Sequence, residues 1–245
     1  MIKNLIVSGC SFTDSGAFGS SWADYTANHL GLNCINLAKG GAGNDYIANS
    51  IIDTVYSYDP EETIVIVMWS GPGRKDLVVS SEYWETLQYP YKTKTNWDED
   101  KHYVFSGGMA NSWLDNPDTK KLFYFLYKSS DPYTITKNTL LNFLNLENSL
   151  VGYKFKFTSF INFWDPTIES GPSGEYSLGH FGPKLQIYDR IKFNNWFFVD
   201  ENRNGFYEFA KKLNLLSGDD FHPDITAHKK FAEEIVIPNI QEFLK

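Results

Sequence analysis

The chain has 245 residues, a formal net charge of −8, and is 42% hydrophobic, 21% charged and 17% aromatic. This composition suits one large α/β domain carrying an insertion. The acidic balance, with no Lys/Arg run, argues against a nucleic-acid partner, which needs a basic face to offset phosphate charge. Two cysteines, Cys10 and Cys34, are too few for a disulfide framework or a cysteine-rich zinc site. No stretch has the length and apolarity of a membrane span, and the N-terminal apolar run is too short for a secretory leader. These features read as a protein of the cytoplasm or of a released particle, with the compartment itself unknown.

In chain order, Leu5-Ile6-Val7 reads as a buried strand that stops at Gly9-Cys10-Ser11. Thr13 to Ser20 is rich in Gly and Ser and reads as a loop. Ser21 can cap a helix through Trp22, Tyr25 and Leu30, closed by Gly31. Cys34 to Ala38 reads as a second strand, ending in Lys39-Gly40-Gly41-Ala42-Gly43-Asn44, with a helix after it. Such a loop can offer backbone N–H groups to an anion, although the third glycine of a dinucleotide fingerprint is missing. Thr63 to Trp69 is apolar throughout, as expected of a central strand covered on both faces. It breaks at Ser70-Gly71-Pro72-Gly73-Arg74.

From about 80 to 133 the periodicity is lost and aromatic residues accumulate, among them Tyr83, Trp84, Trp97, Tyr103, Phe105 and Trp113. This stretch reads as a loop-like cap beside the strand ends, with a helix from Thr119 to Lys128, or as a subunit interface. Thr136 to Leu150 has helical spacing and Tyr153 to Ile161 alternates as a strand. A short strand at Trp196–Val199 and a helix from Gly205 to Leu215 follow. The chain ends with a helix from about Ile225 to Phe243. Cys10 reads as buried packing, His29 as a packing residue and His228 as a surface residue. His102 and His180 fall in stretches read as loops.

Just before the final helix stands Asp219-Asp220-Phe221-His222-Pro223. A carboxylate three residues ahead of a histidine can accept its Nδ1–H and leave Nε2 free as a base. A serine after the first strand, a glycine loop after the second and an Asp-x-x-His near the end occur here in one order. That order resembles the SGNH (GDSL-type) hydrolases, serine esterases on a three-layer α/β/α flavodoxin-like parallel sheet. The resemblance spans nearly the whole chain apart from the aromatic insertion, so one domain over 1–245 is expected.

The resemblance implies that Ser11 is the nucleophile, His222 the general base and Asp219 its orienting partner. It places the oxyanion donors on the N–H groups of Ser11 and Gly41. No cofactor or metal is implied. Two positions depart from the pattern: Cys10 stands where the family has aspartate, and the loop after the third strand has no asparagine. Asn44 is the expected substitute for that amide, with Ser70 and Arg74 as less conventional donors and substrate contacts. The implied substrate is a small acyl ester, for which the aromatic content suggests an O-acetylated carbohydrate. The other readings are a catalytically silent glycan-binding or assembly module, which includes a homo-oligomer, and a flavodoxin-like flavin or nucleotide binder, for which only Ser11 to Gly16 speaks.

Overall fold

The computed structural model describes residues 1–86, 92–94, 102–105, 121, 131–167, 177–217 and 222–244. Strand β1 (Asn4–Ser8) is followed by a one-turn helix α1 (Ser15–Phe18) and then by α2 (Trp22–Leu30). The Thr13–Ser20 loop of the sequence reading therefore contains one helical turn, because the Asp14 side chain accepts from Gly16 N and caps it. Strand β2 (Asn33–Asn36) leads through the glycine loop to α3 (Asn44–Val55), and β3 (Thr63–Trp69) follows. Next come β4 (Asp76–Val79), α4 (Ser81–Thr86), β5 (Lys92–Lys94) and β6 (His102–Phe105). Helix α5 (Pro132–Ser149) precedes β7 (Lys154–Ser159), and the short α6 spans Leu178–Phe181. The chain closes with α7 (Phe206–Lys212), α8 (Ile225–Phe231) and α9 (Ile237–Ile240).

The described residues form a four-stranded parallel sheet in the order β2-β1-β3-β7. Parallel strands put all four carboxyl ends on one edge, where α/β sheets bind ligands. Side chains alternate between the faces. Leu5, Val7, Ile64, Ile66 and Met68 pack with Trp22, Phe206 and Phe231 on one side. Ile6, Val65, Val67 and Trp69 pack with Tyr46, Ile51, Phe143 and Leu146 on the other. Every residue of β3 is buried, which explains its unbroken apolar run. The architecture is the expected α/β/α sandwich.

Several boundaries differ from the sequence reading. The described residues of the aromatic insertion are regular rather than loop-like: α4, β5 and β6 fall within it, and β5 and β6 form an antiparallel sheet with the preceding β4. Tyr103 and Phe105 of β6 pack edge-on against Tyr46 of α3, so these rings fill a core. The helix expected over Thr119–Lys128 lies outside the described residues except for Lys121. The strand expected at Trp196–Val199 reduces to one parallel bridge, Phe157 to Trp196. The final helix opens into a π turn over Ala232–Val236. That turn precedes Pro238, whose missing N–H and ring forbid a regular bond to residue 234. No described helix is long and apolar enough to cross a membrane.

Candidate active site

Ser11 sits in the tight turn that leaves β1, closed by Thr13 N and Asp14 N donating to Cys10 O at 2.9 and 3.1 Å. Gly9 allows this turn: a Cβ there would lie 2.4 Å from Thr13 Oγ1. Cys10 is buried among apolar residues, as expected.

His222 is brought to this turn from the other end of the chain. An antiparallel bridge joins Leu216 to Pro223, with Ser217 N donating to His222 O at 2.7 Å and Asp224 N to Leu215 O at 2.8 Å. Asp224 then caps α8 by accepting from Ala227 N at 2.8 Å. The imidazole ring lies 5.0 Å from the Phe12 ring. The result is a Ser11 Oγ to His222 Nε2 hydrogen bond of 2.7 Å, half-buried. Asp219, expected to orient the imidazole, lies outside the described residues.

The glycine loop after β2 is held at both ends by carboxylates. Asp14 Oδ2 accepts from Gly40 N at 2.9 Å while its Oδ1 accepts from Gly16 N at 2.9 Å, joining the serine turn to the glycine loop. Asp76 accepts from Gly43 N and Tyr46 N, each at 2.8 Å, across the N-terminus of α3. Burial pushes the Asp76 carboxyl up to about 7, against the pull of these two N–H donors. Between the clamps, Gly41 takes φ +82°, a left-handed conformation that favours glycine. Among the described residues the N–H groups of Ser11 and Gly41 have no acceptor.

The substitutes expected for the missing asparagine do not hold as free donors. Asn44 is 3% exposed, and its amide is tied to the Ser70 backbone: Oδ1 accepts from Ser70 N at 2.9 Å and Nδ2 donates to Ser70 O at 3.1 Å. It therefore braces α3 against the loop after β3. Ser70 has no exposed surface, so its hydroxyl cannot meet a substrate in this conformation. Arg74 is partly exposed, with its guanidinium 4.8 Å from the centroid of the Phe160 ring. That ring lies 4.9 Å from Phe12, which in turn stands against His222.

The remaining histidines separate clearly. His228, expected at the surface, is fully buried and accepts Trp22 N on Nδ1 at 3.1 Å, capping α2 from α8. Burial pulls its pKa down to about 4. His102 lies in β6 against Trp84, and His180 lies in α6 with Nδ1 3.1 Å from Pro166 O. His29 is exposed. The residues that sequence reasoning missed are Asp14, Asp76 and His228. The available signals were Asp14 standing three residues after Ser11 and His228 standing three residues before Phe231 on the last helix.

A scan against models of known protein families gives no match, and a search of curated proteins gives none either. Solved structures do match over nearly the full length of this chain. A lipase from a goat rumen metagenome aligns at TM-score 0.50 and 11% identity, covering 99% of this chain and 97% of its own. A GDSL-like lipase from Parabacteroides merdae aligns at TM-score 0.51 and 14% identity, covering 98% of each chain. The fold is that of the SGNH (GDSL-type) hydrolases.

Proposed function

We propose that this chain is a serine ester hydrolase that works through an acyl-enzyme on Ser11. The 2.7 Å bond between Ser11 Oγ and His222 Nε2 carries the reading, since a nucleophile within hydrogen-bond reach of a base is the minimal unit of this chemistry. His222 Nε2 takes the hydroxyl proton as Ser11 Oγ attacks the ester carbonyl. The N–H groups of Ser11 and Gly41 receive the oxyanion, each worth about 3–4 kcal/mol of transition-state stabilisation. The protonated imidazole returns its proton to the leaving alkoxide, and the alcohol departs from the acyl-serine. Water, deprotonated by His222, then releases the acid and restores Ser11. Asp219 takes the Nδ1–H in this scheme and keeps Nε2 available.

The substrate class is a small acyl ester borne by a neutral molecule, with an O-acetylated carbohydrate the preferred case. The net charge of −8 disfavours an anionic membrane surface as the place of action. A second reading, a catalytically silent glycan-binding or assembly module, draws on the lack of an asparagine in the loop after β3. Hydrolysis of p-nitrophenyl acetate decides between them. The enzyme reading expects turnover that falls by about 10⁴-fold or more in Ser11→Ala and in His222→Ala, with the fold retained. Equal rates in wild type and both variants would reject it.

A further inference from the structure

Beyond the end of β7, on the same edge of the sheet as Ser11, lies a cleft of about 710 Å³ that the Ser11–His222 pair does not use. Its walls include Trp164, Asp165, Tyr188, Glu201, Asn202 and Arg203. Arg203 holds φ +61°, the left-handed region that non-glycine residues rarely occupy. The turn that imposes this conformation is closed by Arg203 N donating to Asp200 O at 3.1 Å. It is braced by Asp200 Oδ2, which accepts from Asn204 Nδ2 at 2.9 Å. Asn162, just past β7, donates to Asn202 O at 2.9 Å and ties the turn to the sheet. The Arg203 guanidinium, carried by this turn, lies 4.0 Å from the Phe193 ring centroid.

Among the described residues, this guanidinium has no carboxylate or other acceptor within bonding distance. The Glu201 carboxylate and the Tyr188 hydroxyl also make no hydrogen bond there. Asp165 spends Oδ1 on Thr167, leaving Oδ2. The cleft therefore interleaves a donor fork, two carboxylates and a phenol around aromatic carbon. An anion would face Glu201 and Asp165, and a cation would face Arg203. A neutral molecule rich in hydroxyls, each both donor and acceptor, satisfies all of them.

We propose that this cleft binds neutral sugar residues of a glycan. The coupling to catalysis rests on the hydrolase reading: the glycan chain would occupy the cleft while its ester reaches Ser11. Only β3 separates β1, which leads to Ser11, from β7, which leads to the cleft, so the two strands are two spacings, about 10 Å, apart. A cleft separate from Ser11 on the same edge suits a polymeric rather than a monomeric substrate.

The test titrates wild type with unesterified β-1,4-linked hexasaccharides of xylose, glucose, mannose and N-acetylglucosamine, read by calorimetry. Arg203→Gly is the main variant because glycine keeps the positive φ while removing the guanidinium. Glu201→Gln is the second. The expected result is binding of at least one hexasaccharide at a Kd of about 1 mM or tighter. Arg203→Gly should weaken it about tenfold or more and Glu201→Gln should weaken it too, as for lost hydrogen bonds to charged groups. Hydrolysis of p-nitrophenyl acetate should stay unchanged in both variants. No binding to wild type, or equal binding in Arg203→Gly, overturns the cleft proposal. The p-nitrophenyl acetate rate of the same preparation reports separately on Ser11, so saccharide binding without hydrolysis rejects the hydrolase reading and keeps the cleft.

Discussion

A serine hydroxyl is a weak nucleophile at neutral pH, so Ser11 depends on what surrounds it within a few ångströms. In the proposed reaction His222 Nε2, 2.7 Å away, would be the base, and the N–H groups of Ser11 and Gly41, which have no acceptor among the described residues, would receive the oxyanion. Gly41 is the residue on which this stabilisation is most exposed to change, because its φ of +82° is strained for any side chain. Gly41→Ala should cost about 1–2 kcal/mol of stability, by the usual left-handed penalty. It should also lower kcat by about a hundredfold or more as the donor shifts. Chemical denaturation and steady-state kinetics on one ester check both effects. A loss of stability with kcat intact would remove Gly41 from the oxyanion hole.

At the scale of elements, the site is where three strand ends are tied together by side chains that do no chemistry. Asp14 bridges the turn after β1 to the loop after β2, Asp76 fastens that loop to the start of α3, and Asn44 fastens α3 to the loop after β3. Asn36 adds a fourth tie, its Nδ2 donating to Thr13 O at 2.8 Å. Asp14 touches the Gly41 loop without being placed to touch a substrate, so its removal should act through position. Asp14→Ala should lower kcat by about tenfold or more with KM little changed, and Asp14→Asn should recover part of the loss by keeping one acceptor. Equal kcat in wild type and Asp14→Ala would show that the loop holds itself.

For the molecule as a whole, two buried titratable groups set opposing pH dependences. His228 has a folded pKa of about 4, below the ordinary value near 6.5. The unfolded chain therefore takes the proton first, and the stabilisation present above pH ~6.5 is lost as pH falls toward 4, by up to about 3 kcal/mol. Asp76, with its pKa raised to about 7, works the other way: its penalty at high pH is relieved as pH falls from 7 toward 4. The net slope is therefore shallow, and the test is a difference. The stability gap between wild type and His228→Gln should shrink between pH 7.5 and pH 4.5 in urea unfolding. A constant gap would mean that His228 is not held neutral in the fold.

The same scale shows which parts of the chain were legible beforehand. Strands β1, β3 and β7 announce themselves through apolar runs and alternation, and the order of Ser11, Gly41 and His222 along the chain points to one edge of one sheet. Strand β6 within the insertion was not legible, because Tyr103 and Phe105 are buried only by meeting Tyr46 from a distant helix. His228 stands three residues before Phe231, on the buried side of the last helix, and the expectation of a surface position fails because its partner, Trp22 N, lies far away in sequence. Asn44 and Ser70 lie at the expected edge of the sheet, but the Asn44 amide is taken up by the Ser70 backbone and both residues are buried. Polar groups whose partners lie far away in sequence leave no local pattern.

The central claim is that Ser11 is a nucleophile activated by His222. Treatment of the folded protein with a fluorophosphonate probe, followed by peptide mass spectrometry, tests it most directly. A single adduct on Ser11 in wild type, lost in His222→Ala, is the predicted result. An unlabelled wild type, or equal labelling of Ser11 in His222→Ala, would contradict it.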